Sequence, residues 1–326
     1  MVTQLDLFGN HVDVQAKDPI WRLKNRPAPD PNSPIVVSYG GGTNSTAMLI
    51  AMVLKGIKPD LILFADTGGE LPETYEWVNT FSDWLHNQGF PSVTVVKRGK
   101  VEAVRERKAL VVKWDVITKS FDWFLLSLYL GILSNGNQFF EYSNLYEKCI
   151  TLKALPSRVF NKGECSINYK IKPQQSYLEG FYSDIIGDTK IRMFIGFHSE
   201  EIGRLINKKE DPFETEFYRK EYPLIEWGLN QKNCISLIES IGLGVPPKSS
   251  CFFCPNRKPS EVLFLKEKYP ELYDAACFME ENFADRAKEI VGLGRTWRWL
   301  DLDKLSALEQ LIIDNKQESR RCACID

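Results

Sequence analysis

Ser38-Tyr39-Gly40-Gly41-Gly42-Thr43-Asn44-Ser45-Thr46 is the stretch whose reading decides the fold. Ahead of it stands Pro34-Ile35-Val36-Val37, a short apolar run that predicts a strand over residues 35–38. Behind it runs Ala47-Met48-Leu49-Ile50-Ala51-Met52-Val53-Leu54, too long and too rich in Ala, Met and Leu for a second strand. It predicts a helix over residues 45–55. Three successive glycines let the backbone turn sharply and approach a ligand, because no Cβ intervenes. The hydroxyls of Ser45 and Thr46 fall at the helix start, where free N–H groups and the dipole attract an anion. Two readings fit this cluster. One is a phosphate cradle built from Ser38, Gly40, Gly41, Gly42, Thr43, Asn44 and Ser45; the other is a turn with a helix N-cap.

Working outward, Leu61-Ile62-Leu63-Phe64-Ala65 is apolar throughout, as a strand covered on both faces must be. Residues 73–88 show a helical apolar face (Thr74, Tyr75, Trp77, Val78, Phe81, Trp84, Leu85), and Val93-Thr94-Val95-Val96 is a third strand. This β-α-β-α-β spacing predicts an α/β fold with a doubly wound, mostly parallel sheet. Ligands in such sheets bind at the carboxyl ends of the strands, which places residues 38–45 and 66–70 on one rim. Residues 101–160 read as helices and loops. Residues 191–197 form a final core strand, and residues 236–241 and 263–281 read as helices. The expected organisation is a flexible arm (1–32), a nucleotide-binding α/β domain (33–205) and a helical, cysteine-bearing region (206–326).

The glycine stretch lacks the Gly-Lys-Ser/Thr ending of a P-loop NTPase and the Gly-x-Gly-x-x-Gly of a dinucleotide fold. It resembles the Ser-Gly-Gly-x-Asp-Ser loop of the adenine nucleotide alpha-hydrolase, or PP-loop, superfamily. Phe64-Ala65-Asp66-Thr67-Gly68-Gly69-Glu70-Leu71-Pro72-Glu73-Thr74-Tyr75 resembles the signature of its phosphoadenosine phosphosulfate (PAPS) reductase family. Weaker likenesses follow at Cys165 to Pro173, at Glu201 to Arg204 and at Tyr222 to Trp227. The resemblance implies an adenine nucleotide, ATP or PAPS/APS, with Mg²⁺ on its phosphates, and adds Asp66, Thr67 and Gly68 to the nucleotide site. It implies that Lys170 points to the phosphates. Arg204 either reaches them as a guanidinium fork or pairs with Glu200 or Glu201 on one helical turn. Asn44 departs from the family, which has an aspartate there that would ligate Mg²⁺.

Eight cysteines in a chain with no disulfide-type framework point to metal, cluster or redox use. Cys251-Phe252-Phe253-Cys254-Pro255 carries two thiols spaced to grip one metal or one cluster edge, with Cys165 as a third ligand. A [4Fe-4S] cluster is the first expectation and Zn²⁺ the second; a redox pair or inert buried thiols are the alternatives. Cys149, Cys322 or Cys324 would supply the fourth ligand, whereas Cys234 and Cys277 sit on apolar helical faces and read as core. Arg320 and Arg321 precede Cys322 and would favour its thiolate. The family's reductases carry a nucleophilic cysteine near the C-terminus, which implies that role for Cys322.

Forty-one basic against 43 acidic residues leave a net charge of −2, so any nucleic-acid contact must be local. The apolar stretch 121–133 is short for a membrane span and carries Asp122. No basic flank precedes an apolar core at the N-terminus, so a cytoplasmic protein is expected. Within the proline-bearing arm, Gln4-Leu5-Asp6-Leu7-Phe8 resembles the peptide by which bacterial proteins dock on the replication sliding clamp. Pinning of Leu5, Leu7 and Phe8 to the protein's own core is the alternative. Taken together these readings favour ATP-dependent adenylation and sulfur transfer, with DNA as acceptor and a sulfur-donor protein as partner. A sulfonucleotide reductase and a non-catalytic nucleotide sensor are the competing readings.

Overall fold

A computed structural model describes residues 3–5, 11–13, 19–99, 101–105, 110–112, 138–160, 163–183, 189–206, 213–284, 290–306 and 309–313. At its centre is a five-stranded sheet built from β1 (Ile35–Tyr39), β2 (Leu61–Asp66), β3 (Val93–Lys97), β4 (Ile191–Ile195) and β5 (Tyr218–Glu221). The order is β3-β2-β1-β4-β5 and every pairing is parallel. The α/β fold read from the sequence is therefore present. The sheet runs past residue 205, because β5 adds an edge strand beyond β4.

Alternate residues of the strands feed two cores, as the two-residue period of a strand dictates. Val37, Tyr39, Ile62, Phe64 and Phe194 pack on one face with α1 (Thr43–Lys55), α2 (Pro72–Asn87) and α5 (Gln231–Ser240). Val36, Leu63, Ala65, Met193 and Ile195 pack on the other, with Leu178 of α4 (Lys172–Phe181). Gly56, in left-handed conformation at φ 67°, closes α1, with its N–H reaching the carbonyl of Val53. A third core joins α3 (Leu145–Thr151), α6 (Pro259–Lys268) and α7 (Pro270–Phe283) with Phe252 and Phe253.

Three local expectations change. Residues 101–160 contain an antiparallel sheet, with Val101–Arg105 between Leu110–Val112 and Gln138–Tyr142, rather than helices and loops alone. Strands of three to five residues pair across sequence, and so short a run carries little periodicity to betray it. The single helix expected over 263–281 is two, broken at Tyr269-Pro270, where proline lacks an N–H and clashes with a preceding helical turn. Within the expected arm, Pro19–Lys24 is a short helix, and it is docked. Leu23 is buried, Arg22 lies 4.6 Å from the Phe213 ring, and Arg26 donates to the Lys220 carbonyl at 2.7 Å.

Candidate active site

The strand order reverses between β1 and β4, and the crevice at such a switch point is where open α/β sheets bind ligands. The glycine stretch occupies it. Ser38 is buried in β1, level with Leu63 of β2 and Ile195 of β4. Gly41 takes φ +74°, and a Cβ there would press on Phe64, Val78 and Thr74 at 3.3–3.4 Å, so glycine is required on two counts. Gly42 is the N-cap of α1, and Thr43 and Asn44 begin the helix. The Ser45 hydroxyl accepts from the Gly40 N–H at 3.2 Å and donates to the Gly42 carbonyl at 3.3 Å, which locks the turn. Of the two readings of the cluster, the turn with a helix cap is present, with Gly42 as the N-cap.

The opposite wall comes from the end of β4. A Cβ on Gly196 would lie 2.9 Å from the backbone of Ser45, so the two segments touch main chain to main chain. Asn44 donates to Glu201 at 2.9 Å, and Arg204 donates to the other oxygen of the same carboxylate at 2.8 Å. Arg204 also stacks 3.8 Å from the centre of the Phe197 ring. Of the two roles weighed for Arg204, the structure displays the pair with Glu201. Glu201 thus places a buried carboxylate beside Asn44, where the family has its aspartate.

At the end of β2, Asp66 is engaged on all sides. It accepts from the Gly68 N–H and the Tyr75 hydroxyl, each at 2.7 Å, and pairs with Lys97 at 3.0 Å. Its geometry is that of a brace for the loop. Phe64 and Ala65 are buried in the two cores. Gly68 is left-handed at φ +72°, and the Thr67 carbonyl accepts from the Leu145 N–H.

The cysteine segment ties these loops together. Ser249 donates to the Gly40 carbonyl at 2.5 Å, and the Phe252 N–H donates to the Gly69 carbonyl at 2.7 Å. Phe253 fills the space that a Cβ on Gly69 would take. Arg257, itself buried, donates to the carbonyls of Ser250 and Cys251 and so holds the loop shape. The result is a small, solvent-connected cavity of about 50 Å³. Cys165, Cys251, Cys254 and Lys170 all line it, although some eighty residues separate the first cysteine from the others. A π-helical turn at Ile167–Ile171 interrupts the helix carrying Cys165 and Lys170, a distortion that recurs at functional sites.

Inside the cavity, the Cys251 sulfur lies 3.1 Å from the Thr67 hydroxyl, which is 3.4 Å from Glu70. Glu70 in turn lies 4.0 Å from Lys170. Loss of hydration, with the Glu70 carboxylate and Cys254 nearby, pushes the Cys251 thiol well above the ordinary range, so it is protonated at neutral pH. Burial pushes Cys149 up to about 12. Cys234 and Cys277 are core residues, as expected. Among the described residues, no group of three His, Cys, Asp or Glu side chains is placed to hold a metal ion. Cys165, Cys251 and Cys254 share this wall, and the expected fourth-ligand candidates Cys322 and Cys324 lie outside the described residues.

Glu70, Gly196, Glu201, Ser249 and Ser166 belong to the site and were not among the expected site residues. Glu70 and Glu201 stand inside motifs already visible, and Ser249 sits two residues before Cys251. Gly196 offered only the hint of a small residue at a strand end. Cys322 and Cys324 lie outside the described residues, as do Asp6, Leu7 and Phe8 of the arm peptide and the stretch 121–133. Gln4 and Leu5 fall in Thr3–Leu5, which pairs antiparallel with His11–Asp13. Among the described residues, no helix is long and apolar enough to cross a membrane.

This geometry agrees with the comparisons. Over 293 residues the chain is 23% identical to an uncharacterized protein of Methanocaldococcus jannaschii, which covers 88% of this chain and 57% of that protein. The chain thus spans little more than half the length of the relative it matches. Residues 34–120 match the model of the phosphoadenosine phosphosulfate reductase domain. They include the glycine turn, β1, α1, β2, the Asp66 loop, α2 and β3, the elements that form one side of the crevice. The chain carries a phosphoadenosine phosphosulfate reductase domain, a member of the adenine nucleotide alpha-hydrolase superfamily.

Proposed function

We propose that this protein is an ATP pyrophosphatase-type enzyme that binds ATP along the glycine rim and uses it for adenylation followed by sulfur transfer. An acceptor oxygen attacks the α-phosphorus, pyrophosphate leaves, and a sulfur nucleophile then displaces AMP from the activated acceptor. The observation that carries this reading is the bond from Ser249 to the Gly40 carbonyl, which sets the cysteine cavity directly beside the candidate phosphate loop. The free N–H groups at the start of α1 and the helix dipole would stabilise the charge that builds on the departing pyrophosphate. Lys170, on the cavity wall, adds a cation on the same side. A protonated Cys251 has Thr67 in hydrogen-bond reach and is kept from premature ionisation by burial.

Gly42→Asp tests the rim. Gly42 has an extended backbone, and its added Cβ would meet nothing closer than Ser249 at 3.8 Å. Aspartate is a good N-cap, so stability should hold or rise by about a few tenths of a kcal/mol. The same carboxylate would stand where a phosphate must sit, so ATP binding should be lost. Retained ATP affinity in a well-folded variant would refute the placement. Product analysis after incubation with ATP or PAPS decides the chemistry: AMP with pyrophosphate supports the proposal, and sulfite release from PAPS assigns a reductase instead.

A further inference from the structure

A second hollow, a groove of about 230 Å³, opens between the start of α2 and the start of α6 and shares no lining residue with the cysteine cavity. Leu71, Pro247 and Phe264 give it apolar surface. Leu71 is buried, whereas Phe264 is 44% exposed, a large ring left to solvent. The charges around the groove are of two kinds. Lys248 pairs with Glu261 at 2.7 Å. Lys268, 5.3 Å from the centre of the Phe264 ring, pairs with Glu73, which also accepts from the Tyr269 hydroxyl at 3.0 Å. Each of these pairs sums to zero charge.

Arg257 is the exception. It is 4% exposed and lines the groove, and its guanidinium donates to two neutral carbonyls, those of Ser250 and Cys251, at 3.2 Å each. Among the described residues, no carboxylate forms an ion pair with it. A guanidinium carries five N–H donors, so two carbonyls leave most of them, and the whole charge, unanswered. A cation taken out of water without an opposite charge is costly. Ser260 and Glu261, in the first turn of α6, line the same groove, and the positive end of that helix adds to the field.

The groove is smaller than the roughly 300–1,000 Å³ of a typical small-molecule site, and its size suits one or two side chains. We propose that it docks a segment of a partner protein in which an acidic side chain stands beside a large apolar one. The carboxylate pairs with Arg257, and the apolar side chain covers Phe264 and Leu71. A polyanion such as nucleic acid fits less well, because a chain of phosphates would also meet the carboxylates of Glu73 and Glu261. The docking site goes beyond the nucleotide reading and does not depend on it.

The test is calorimetric titration of the full chain with end-blocked ten-residue peptides that carry Asp or Glu next to Leu or Phe. These should bind. Replacing the acid by its amide should weaken binding about tenfold, the loss of one charge-assisted bond, and replacing it by lysine should abolish binding. Phe264→Ala, on an exposed position, should also weaken binding about tenfold. Arg257→Gln should make the acidic and amide peptides equal; if that variant does not fold, the amide peptides and Phe264→Ala decide. No binding of any acidic peptide, equal binding of acid and amide, or full affinity in Phe264→Ala would overturn the proposal. Competition supplies the last arms. Displacement of the peptide by ATP would make the groove part of the nucleotide site, and binding of a ten-residue oligothymidylate in its place would make it a nucleic-acid surface; either result overturns the protein-docking assignment. Peptide binding unaffected by both supports it, whatever the outcome for ATP turnover.

Discussion

The glycine rim and the cysteine cavity lie side by side, yet they treat their polar groups in different ways. On the rim, several side chains are engaged by the fold: Ser45 makes two bonds within its own turn, Asp66 is braced by three partners, and Glu201 accepts from both Asn44 and Arg204. What the rim offers a ligand is backbone, at the start of α1. In the cavity wall, the hydroxyls of Ser166 and Ser250 are buried without a hydrogen-bond partner. Rigid backbone donors recognise a group shared by many ligands, such as phosphate, without further adjustment. Unpaired buried hydroxyls instead carry a desolvation cost.

The largest effect on the rim should follow from Gly196→Ala. The new Cβ would stand 2.9 Å from Ser45 backbone, which cannot rotate away as a side chain would. Separating β4 from α1 should cost about 1–3 kcal/mol and weaken ATP binding at the same time. Urea unfolding and ATP titration of one preparation check both. Full stability with full affinity would show that the rim is softer than its contacts imply.

A smaller loss is expected from Asn44→Asp, which restores the residue type usual in the superfamily. In this protein the aspartate would face the Glu201 carboxylate and forfeit the 2.9 Å hydrogen bond. The cost should be about 1 kcal/mol, the worth of one hydrogen bond. An unchanged urea midpoint would mean that the Asn44–Glu201 contact does not hold the crevice wall.

The third prediction sharpens the comparison from the helical side, where a buried carboxylate is satisfied by backbone donors. Glu280 is almost fully buried in α7 and accepts the N–H groups of Leu293, Trp299 and Leu300 at 2.6–3.2 Å. Burial raises its pKa, and the three backbone donors offset this only in part. The folded protein therefore holds this proton more tightly than the unfolded chain. The stability it contributes is present in acid and is lost as pH rises from the ordinary glutamate range through the raised folded value. Glu280→Gln should flatten that decline while keeping an amide oxygen for the loop. Urea midpoints of both proteins across that range measure the difference, and parallel curves would rule out the assigned role.

Residue types and their order were enough to establish the parallel sheet, the glycine turn before α1 and the shared rim of the Ser38 and Asp66 segments. Each depends on local signals: apolar runs of strand length, a glycine cluster and helical periodicity. The sharing of one cavity by Cys165 and Cys251 could be anticipated from family likeness, but not its contents. Ser166 and Ser250 are ordinary residues in sequence, and only their burial without partners distinguishes them. Glu201 beside Asn44, and Gly196 against Ser45, are likewise facts of the switch point between β1 and β4. Which strands flank that crevice depends on long-range pairing, and a hydroxyl is satisfied or not according to what the folded chain brings to it. Those are tertiary decisions, because the free energy of a buried polar group depends on its surroundings and not on its neighbours in the chain.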